Sequence, residues 1–234
     1  MPAQSVASVR TYPSPCPVEE QCAILRNAWP RLNPDGAMRF MRDRYPDLKR
    51  QLPGWVEGPF LIPHPGIYHA GHLDMLGEIL SKLAAVDGLG AQIACKGSTM
   101  ERFRENPLLT EAWRKLLVQQ QGSCIIVVFA QFGQFHCGEA VPQVLHGLSW
   151  TNFGREVPLG PCEVGSMLLT NSGRLASDDT LRIDCPGASV SPLGGIALSQ
   201  TPTFSSWDGS IIFDVCIGTA SEDSGSATAF VFSA

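Results

Sequence analysis

The spacing of apolar residues changes near residue 122. Before this point apolar side chains recur every three or four positions, as in Val18, Cys22 and Leu25, which is typical of the buried face of an α-helix. After it they occur in short continuous or alternating runs, beginning with Ser123–Ala130. A short, β-branched apolar run is typical of a strand that is buried on both faces. The pattern therefore predicts a helical first half and a strand-rich second half.

Helix boundaries in the first half are marked by proline, asparagine and glycine. Pro17 and Asn33-Pro34 predict two helix starts, Pro46 predicts a third short helix, and Asn106-Pro107 predicts a helix that ends before Gly122. The clearest apolar stripe predicts another helix, which Asp87-Gly88 would end. That stripe consists of Leu73, Leu76, Ile79, Leu80 and Leu83. Ser98 and Glu101 form a capping-box pattern for a further short helix, and the proline-rich stretch 55–66 is expected to be a loop or an extended connection.

In the second half, turn residues separate several candidate strands. Gly133 is expected to join Ser123–Ala130 to Gln134–Cys137 in a hairpin. The later candidates are Thr180–Cys185, Ile196–Leu198, Ser210–Val215 and Ala227–Phe232. Residues 140–170 show no clear pattern.

The predicted fold class is α+β, with the helical N-terminal half packed on a mainly antiparallel β-sheet from the C-terminal half. We expect an irregular N-terminal arm at residues 1–15, a helical region at 16–122 and a β-rich region at 123–234. The last two regions are expected to form one compact domain.

The charge of the chain argues against a nucleic-acid-binding protein. The net charge is -5, whereas nucleic-acid-binding proteins usually carry a basic surface. Charged residues make up 17% of the chain, below the ~25% that is typical of soluble domains. The charge balance is +2 over residues 1–120 and -7 over residues 121–234. A charge-poor surface with halves of opposite sign predicts a homo-oligomer or a protein partner.

Cysteine usage predicts a cytoplasmic location. The eight cysteines have unrelated spacings, and most lie within apolar runs, where reduced cysteine behaves as a small hydrophobic residue. Residues 1–10 lack a signal-peptide pattern. The longest apolar stretch, Cys124–Ala130, is far shorter than the ~20 residues needed to span a bilayer, so no membrane association is expected.

Several short segments resemble a pattern in uncharacterised proteins of candidate-phylum bacteria. These segments are Trp55-Val56-Glu57-Gly58 followed by Ile67-Tyr68, Gln92 with Lys96-Gly97 and Phe103-Arg104, and the ending Gly225–Phe230. They cover less than a third of the chain, and the insert Pro59–Pro65 departs from the pattern. The resemblance implies a bacterial, intracellular protein and assigns a role to no residue.

A cluster of histidines is the first candidate site. His64, His69 and His72 lie within nine residues, and His69 and His72 would share a face at the start of a helix. Neutral imidazoles in this relation can bind a divalent metal such as zinc, with His64 reaching back from the preceding loop. Asp74 and Glu57 are the nearest carboxylates that could orient the rings. The alternative is a polar helix entrance without a metal.

Lys96 and Ser98 form a second candidate site, for an anion. Both lie just before a predicted helix, whose N-terminal amides attract negative charge. A complete phosphate-binding loop is missing, and Ser98 can also be explained as a simple helix cap.

A third pattern, His136 and Glu139 followed by Pro161-Cys162, is similar to that of zinc deaminases but lacks a ligand, because Gly165 stands at the second cysteine position. We therefore expect a binding or assembly module without a catalytic set. The competing hypothesis is a metal-dependent hydrolase that uses His64, His69 and His72.

Overall fold

The computed structural model describes residues 12–64, 72–86, 90–94, 101–151, 155–175, 180–191 and 200–232. Six α-helices and eleven β-strands lie within these ranges. The helices are α1 (Val18–Ala28), α2 (Asp35–Leu48), α3 (His72–Ala84), α4 (Pro107–Gln119), α5 (Val141–Thr151) and α6 (Pro161–Thr170). The strands are β1 (Gly58–Pro63), β2 (Gly90–Ile93), β3 (Phe103–Glu105), β4 (Ile125–Gln131), β5 (Glu156–Pro158), β6 (Arg182–Asp184), β7 (Ala188–Val190), β8 (Gln200–Trp207), β9 (Ser210–Ile217), β10 (Ser224–Ser226) and β11 (Thr228–Phe230).

The first sheet has four antiparallel strands in the order β1-β4-β11-β5. All seven residues of β4 are buried, which confirms the strand predicted from its apolar run. Within the stretch 55–66, expected to be a loop or an extended connection, residues 58–63 are extended and form the strand β1, which pairs with β4 from Gly58–Ala130 to Pro63–Ile125. Two prolines are tolerated in β1 because it is an edge strand of the sheet. No strand pairs with its outer side, so a proline that lacks an N–H there interrupts no hydrogen bonds between strands.

The second sheet is mixed and centres on the β8–β9 hairpin. β9 pairs along the whole length of β8, and the turn between them places Asp208 and Gly209 at φ of 48° and 69°. The other edge of β8 carries β6 and β7, and β10 pairs parallel to β6 while β3 pairs antiparallel to β7. β2 adds a parallel strand outside β9.

Helix α6 lies in the middle of the protein, and all ten of its residues are buried. It packs against α1 and α3 and touches both sheets, through β1 and β8. Gly165 permits the close approach of α3, because a Cβ at this position would lie 2.7 Å from Ile79 Cγ2. The region that had no clear pattern in the sequence therefore supplies the central helix of the core.

Three local expectations are wrong. Pro46 does not begin a new helix, because α2 continues through it to Leu48. Pro46 has no N–H to donate to the carbonyl of Arg42, but Arg42 lies on the exposed side of the helix, where water can donate to this carbonyl instead. Residues 134–137 form a turn and not a hairpin strand, and Cys137 makes an isolated bridge with Gly225. Phe103 begins a strand where a helix was expected.

The predicted fold class is confirmed: the protein is α+β, with helices mainly in the N-terminal half and strands mainly in the C-terminal half. The helix start at Asn106-Pro107 is also confirmed, since the Asn106 side chain accepts a hydrogen bond from Leu108 N at 2.9 Å. No helix among the described residues is both long and apolar enough to cross a membrane.

Candidate functional site

Of the residues predicted to form the metal and anion sites, some lie within the described ranges and others do not. His64 follows β1; its N–H donates to Cys124 O at 2.9 Å, and its ring packs edge-on against Trp113, with centroids 5.9 Å apart. His72 is the first residue of α3. His69, Lys96 and Ser98 lie outside the described residues. The metal and anion sites therefore stay predictions, and within the described ranges no group of three His, Cys, Asp or Glu side chains is placed to hold a metal ion.

A cavity of about 440 Å³ lies at the N-terminus of α6. This volume is within the range of roughly 300–1,000 Å³ that is typical of small-molecule sites. Its apolar wall is formed by Leu73, Leu76, Phe103, Leu109, Pro161 and Ala188. Among the described residues, the polar lining includes Asp74, Arg104, Glu105, Cys162 and Glu163, with the backbone of Gly160 and Gly187.

Two glycines bring the walls of this cavity together. Gly187 N donates to Leu159 O at 2.8 Å, and Gly187 O accepts from Asn106 N at 2.8 Å, so the loop after β6 is tied to the starts of both α6 and α4. A Cβ at Gly187 would lie 2.5 Å from the carbonyl carbon of Leu159 and would overlap Gly160 N. The backbone contact that closes this side of the cavity therefore requires glycine at position 187.

A buried carboxylate forms part of the cavity floor. Glu163 is only 1% exposed, and it accepts hydrogen bonds from Trp113 Nε1 at 2.9 Å and from Gly160 N at 3.0 Å. The second bond caps the start of α6, where a carboxylate also interacts favourably with the helix dipole. Trp113 thus orients the one acidic side chain that lines the cavity from within the core helix.

The thiol of Cys162 lines the same cavity but is not activated. Burial, together with the negative charges of Glu163 and Glu105, raises the pKa of Cys162 well above the usual value for a thiol. A nucleophilic cysteine needs the opposite shift, towards the thiolate. Cys162 therefore serves as a neutral, polarizable part of the lining, and the cavity has the properties of a binding site and not of a cysteine-dependent active site.

A second polar cluster joins three strands of the first sheet. His136 Nε2 lies 2.8 Å from Glu156 Oε1, which also accepts from Thr228 Oγ1 at 2.7 Å, and His136 Nδ1 lies 3.4 Å from Glu139 Oε2. Gln131 Nε2 donates to Thr228 Oγ1 at 2.9 Å. These bonds link β4, β5 and β11, so His136 and Glu139 act in a structural network.

A third polar group lies in the second sheet. Asp184 is fully buried in β6, and neither of its carboxylate oxygens has a hydrogen-bond partner among the described residues. Burial raises its pKa to about 6, although Arg182 Nε lies 3.5 Å from Oδ1 and opposes the rise. Ser226, which pairs with Asp184 across β10 and β6, has a buried hydroxyl that likewise lacks a partner within the described part of the chain.

Sequence reasoning did not find the cavity at α6. The sequence pattern indicates Asp74 only as a residue that could orient a metal ligand, and Cys162 only as part of an incomplete zinc-site pattern. Two signals were available: Gly160-Pro161 is a typical helix start, and a core tryptophan such as Trp113 needs a hydrogen-bond acceptor for its indole N–H. Neither signal shows that these segments meet around a cavity.

Comparisons with protein-family models, curated proteins and solved structures found no match to this chain. The function must therefore be inferred from the cavity itself.

Proposed function

We propose that the protein is a binding module for a small, largely apolar molecule, which occupies the cavity at the N-terminus of α6. The observation that carries the proposal is a cavity of about 440 Å³ with a mostly apolar wall and a few oriented polar groups. This combination is typical of sites that gain affinity from burial of an apolar ligand and specificity from a few polar contacts. The raised pKa of the Cys162 thiol argues against a nucleophilic cysteine in this cavity.

The test is a fluorescence titration with N-phenyl-1-naphthylamine, an uncharged dye that brightens in apolar surroundings. We expect saturable binding at one site. Leu73 lies at the cavity mouth and is 40% exposed, so Leu73→Ser removes apolar contact with little effect on the core. Loss of about 1 kcal/mol of contact corresponds to roughly fivefold weaker binding.

The matched control is Val118→Ser, on α4 and outside the cavity lining, where the side chain is 73% exposed. It should bind the dye as the unaltered protein does. Equal affinity in all three proteins, or fluorescence that never saturates, would contradict the proposal.

The competing function, a metal-dependent hydrolase using His64, His69 and His72, stays a prediction. Elemental analysis of protein purified without chelator or histidine tag tests it. A stoichiometric divalent metal and a melting temperature lowered by EDTA would favour the hydrolase. Substoichiometric metal with an unchanged melting temperature would exclude it.

We also propose that the protein works in a reducing compartment such as the cytoplasm, because the seven cysteines in the described ranges are free thiols. Self-association is proposed on the charge-poor surface and the opposite charges of the two halves of the chain. Light scattering should detect a dimer or larger species that dissociates as salt rises from 0.1 M to 1 M. A monomer in all conditions would contradict it.

A further inference from the structure

We infer that a second cavity, between α2 and the end of α4, binds a phosphate group carried by a small molecule. The cavity has a volume of about 240 Å³ and shares no described lining residue with the cavity at α6, so the inference does not depend on the proposed function. Its described lining comes from two segments, 36–44 on α2 and 119–123 at the end of α4. Both segments lie inside continuous described ranges, 12–64 and 101–151.

Two arginines flank the wall that α2 contributes to this cavity. Gly36, Phe40 and Asp43 are four and three residues apart and therefore lie on one face of the helix. Because each residue turns an α-helix by about 100°, Arg39 and Arg44 lie at the two edges of that face. Both arginines are exposed, and neither makes a hydrogen bond or a salt bridge within the described part of the chain. Two guanidinium groups are therefore available to a ligand.

The one acidic residue among the described lining residues is already paired. Asp43 accepts hydrogen bonds from Arg42 Nε at 2.8 Å and from Arg42 Nη2 at 3.3 Å. This contact, with a smaller contribution from the positive charge of Arg39, lowers the pKa of Asp43. The charge of Asp43 is thus balanced by Arg42, and the charges left on the described lining are those of Arg39 and Arg44. They attract an anion.

The opposite wall supplies neutral hydrogen-bonding groups. Two of its three glutamines are engaged: Gln120 exchanges two hydrogen bonds of 2.8 Å with the backbone of Val127, and Gln119 Nε2 donates to Phe232 O at 3.0 Å. The side chain of Gln121 is exposed and makes no hydrogen bond to any described residue. Its amide group can therefore donate to a ligand from the side that faces α2.

The end of α4 would by itself disfavour an anion, because the helix dipole is negative there. The chain caps these carbonyl groups, however. Gly122 N donates to Leu117 O at 2.8 Å, and Ser123 N donates to Gln120 O at 3.2 Å. The partial charge that remains is smaller than the two full charges of Arg39 and Arg44, so the balance at the cavity favours an anion.

A phosphate group matches this set of donors. The planar guanidinium group of arginine donates two parallel hydrogen bonds to a phosphate, and such charge-assisted bonds are stronger than neutral ones. A phosphate monoester presents three strong acceptor oxygens, which suffices for two arginines and one amide. A carboxylate, with two oxygens and a single charge, would use these donors less completely.

The experiment is a calorimetric titration of the full-length protein at pH 7.5 and 0.1 M NaCl. The probes are glycerol 3-phosphate, inorganic phosphate and, as the uncharged counterpart, glycerol. We expect saturable binding of both phosphates at one site and no binding of glycerol. Binding of glycerol as tight as that of glycerol 3-phosphate, or no binding of either phosphate, would overturn the inference.

The double variant Arg39→Gln, Arg44→Gln removes both charges while keeping residues that favour a helix. Because hydrogen bonds to charged groups are lost, the dissociation constant of glycerol 3-phosphate should rise at least about tenfold. The matched control is Arg26→Gln, Arg155→Gln, which changes the net charge equally at two exposed residues outside the described lining. The control should bind as the unaltered protein does, and circular dichroism checks that both variants are folded.

The variants separate this site from other sources of binding. If the folded double variant binds phosphate as before, the anion lies elsewhere, for example at the predicted site of Lys96 and Ser98, and the inference is wrong. An equal loss of affinity in the control would show a response to net charge alone and would also overturn it. Sedimentation with phosphatidic acid vesicles tests a lipid headgroup as the source: binding to vesicles that glycerol 3-phosphate does not compete with would contradict a small-molecule ligand.

Discussion

The buried carboxylate of Asp184 predicts an unusual dependence of stability on pH. The perturbation is Asp184→Asn, which removes the ionisable group and keeps the shape of the side chain. Asp184 is fully buried, and neither oxygen has a hydrogen-bond partner among the described residues. Burial destabilises the ionised form of Asp184, and the positive charge of Arg182, whose Nε lies 3.5 Å from Oδ1, offsets this destabilisation only in part.

The size of the effect follows from the pKa. Burial raises the pKa of Asp184 from 3.8 to about 6, and a rise of this size corresponds to ~3 kcal/mol. Because the folded protein holds the proton more tightly than the unfolded chain, this contribution to stability is fully present below pH 3.8. It is lost as the pH rises to about 6, and it is constant above that.

The assay is urea unfolding of the unaltered protein and the variant at pH 4 and pH 7.5. All other titrating groups are shared, so the difference in unfolding free energy between the two proteins isolates Asp184. This difference should move by roughly 2–3 kcal/mol in favour of Asp184→Asn on going from pH 4 to pH 7.5. The exposed Asp208→Asn should show almost no such movement. A difference that does not change with pH, or that changes in the opposite direction, would refute this account of the buried carboxylate.

Three further predictions concern the residues that build the cavity and the thiols. Trp113→Phe removes a hydrogen bond from the buried Glu163 and should lower the free energy of unfolding, measured in urea, by ~1–3 kcal/mol. Trp207→Phe is the control, at a position that is 72% exposed, and should have little effect. Equal losses in the two variants would contradict the role of the Trp113 indole N–H. Gly187→Ala places a Cβ against backbone atoms and should lower the free energy of unfolding by ~1–3 kcal/mol in the same measurement. Gly173→Ala is the control, because no atom lies within 4 Å of its added Cβ, and its unfolding free energy should be nearly unchanged. An unchanged unfolding free energy in Gly187→Ala would refute the close contact. Thiol titration in urea without reductant should count close to eight groups, and four or fewer would contradict a reducing compartment. In the native protein the slowly reacting thiols should be the buried ones, Cys22, Cys162 and Cys185.

Elements with a strong local signal were predicted from the sequence. The apolar run of β4 indicated a strand buried on both faces, and all of its residues are buried. The start of α4 followed from Asn106-Pro107, because an asparagine cap and a proline in the first turn act within a few residues. The α+β class followed from the change in apolar spacing near residue 122.

Elements that depend on a distant partner were not predicted. β1 contains two prolines, which locally favour a loop, and only its place at the sheet edge beside β4 makes it a strand. β8 contains Pro202 and gave no strand signal, yet it pairs along its whole length with β9. In both cases strand formation results from hydrogen bonds to another segment, although proline within the strand opposes it.

The candidate site belongs to the same category. Its lining comes from α3, β3, α4, the start of α6, the loop after β6 and the start of β7. The first and last of these segments are more than a hundred residues apart in the chain. Each of these residues has an ordinary local explanation: Leu109 lies on a helix stripe, Pro161 starts a helix and Ala188 lies in a short strand. The sequence alone determined the helices α1, α3 and α4, the strands β4 and β9 and the sign of the charge in each half. The tertiary structure alone decided that a buried carboxylate, an unreactive thiol and an apolar wall face one cavity, because the contact between Gly160 and Gly187 that closes it forms only when the chain is folded.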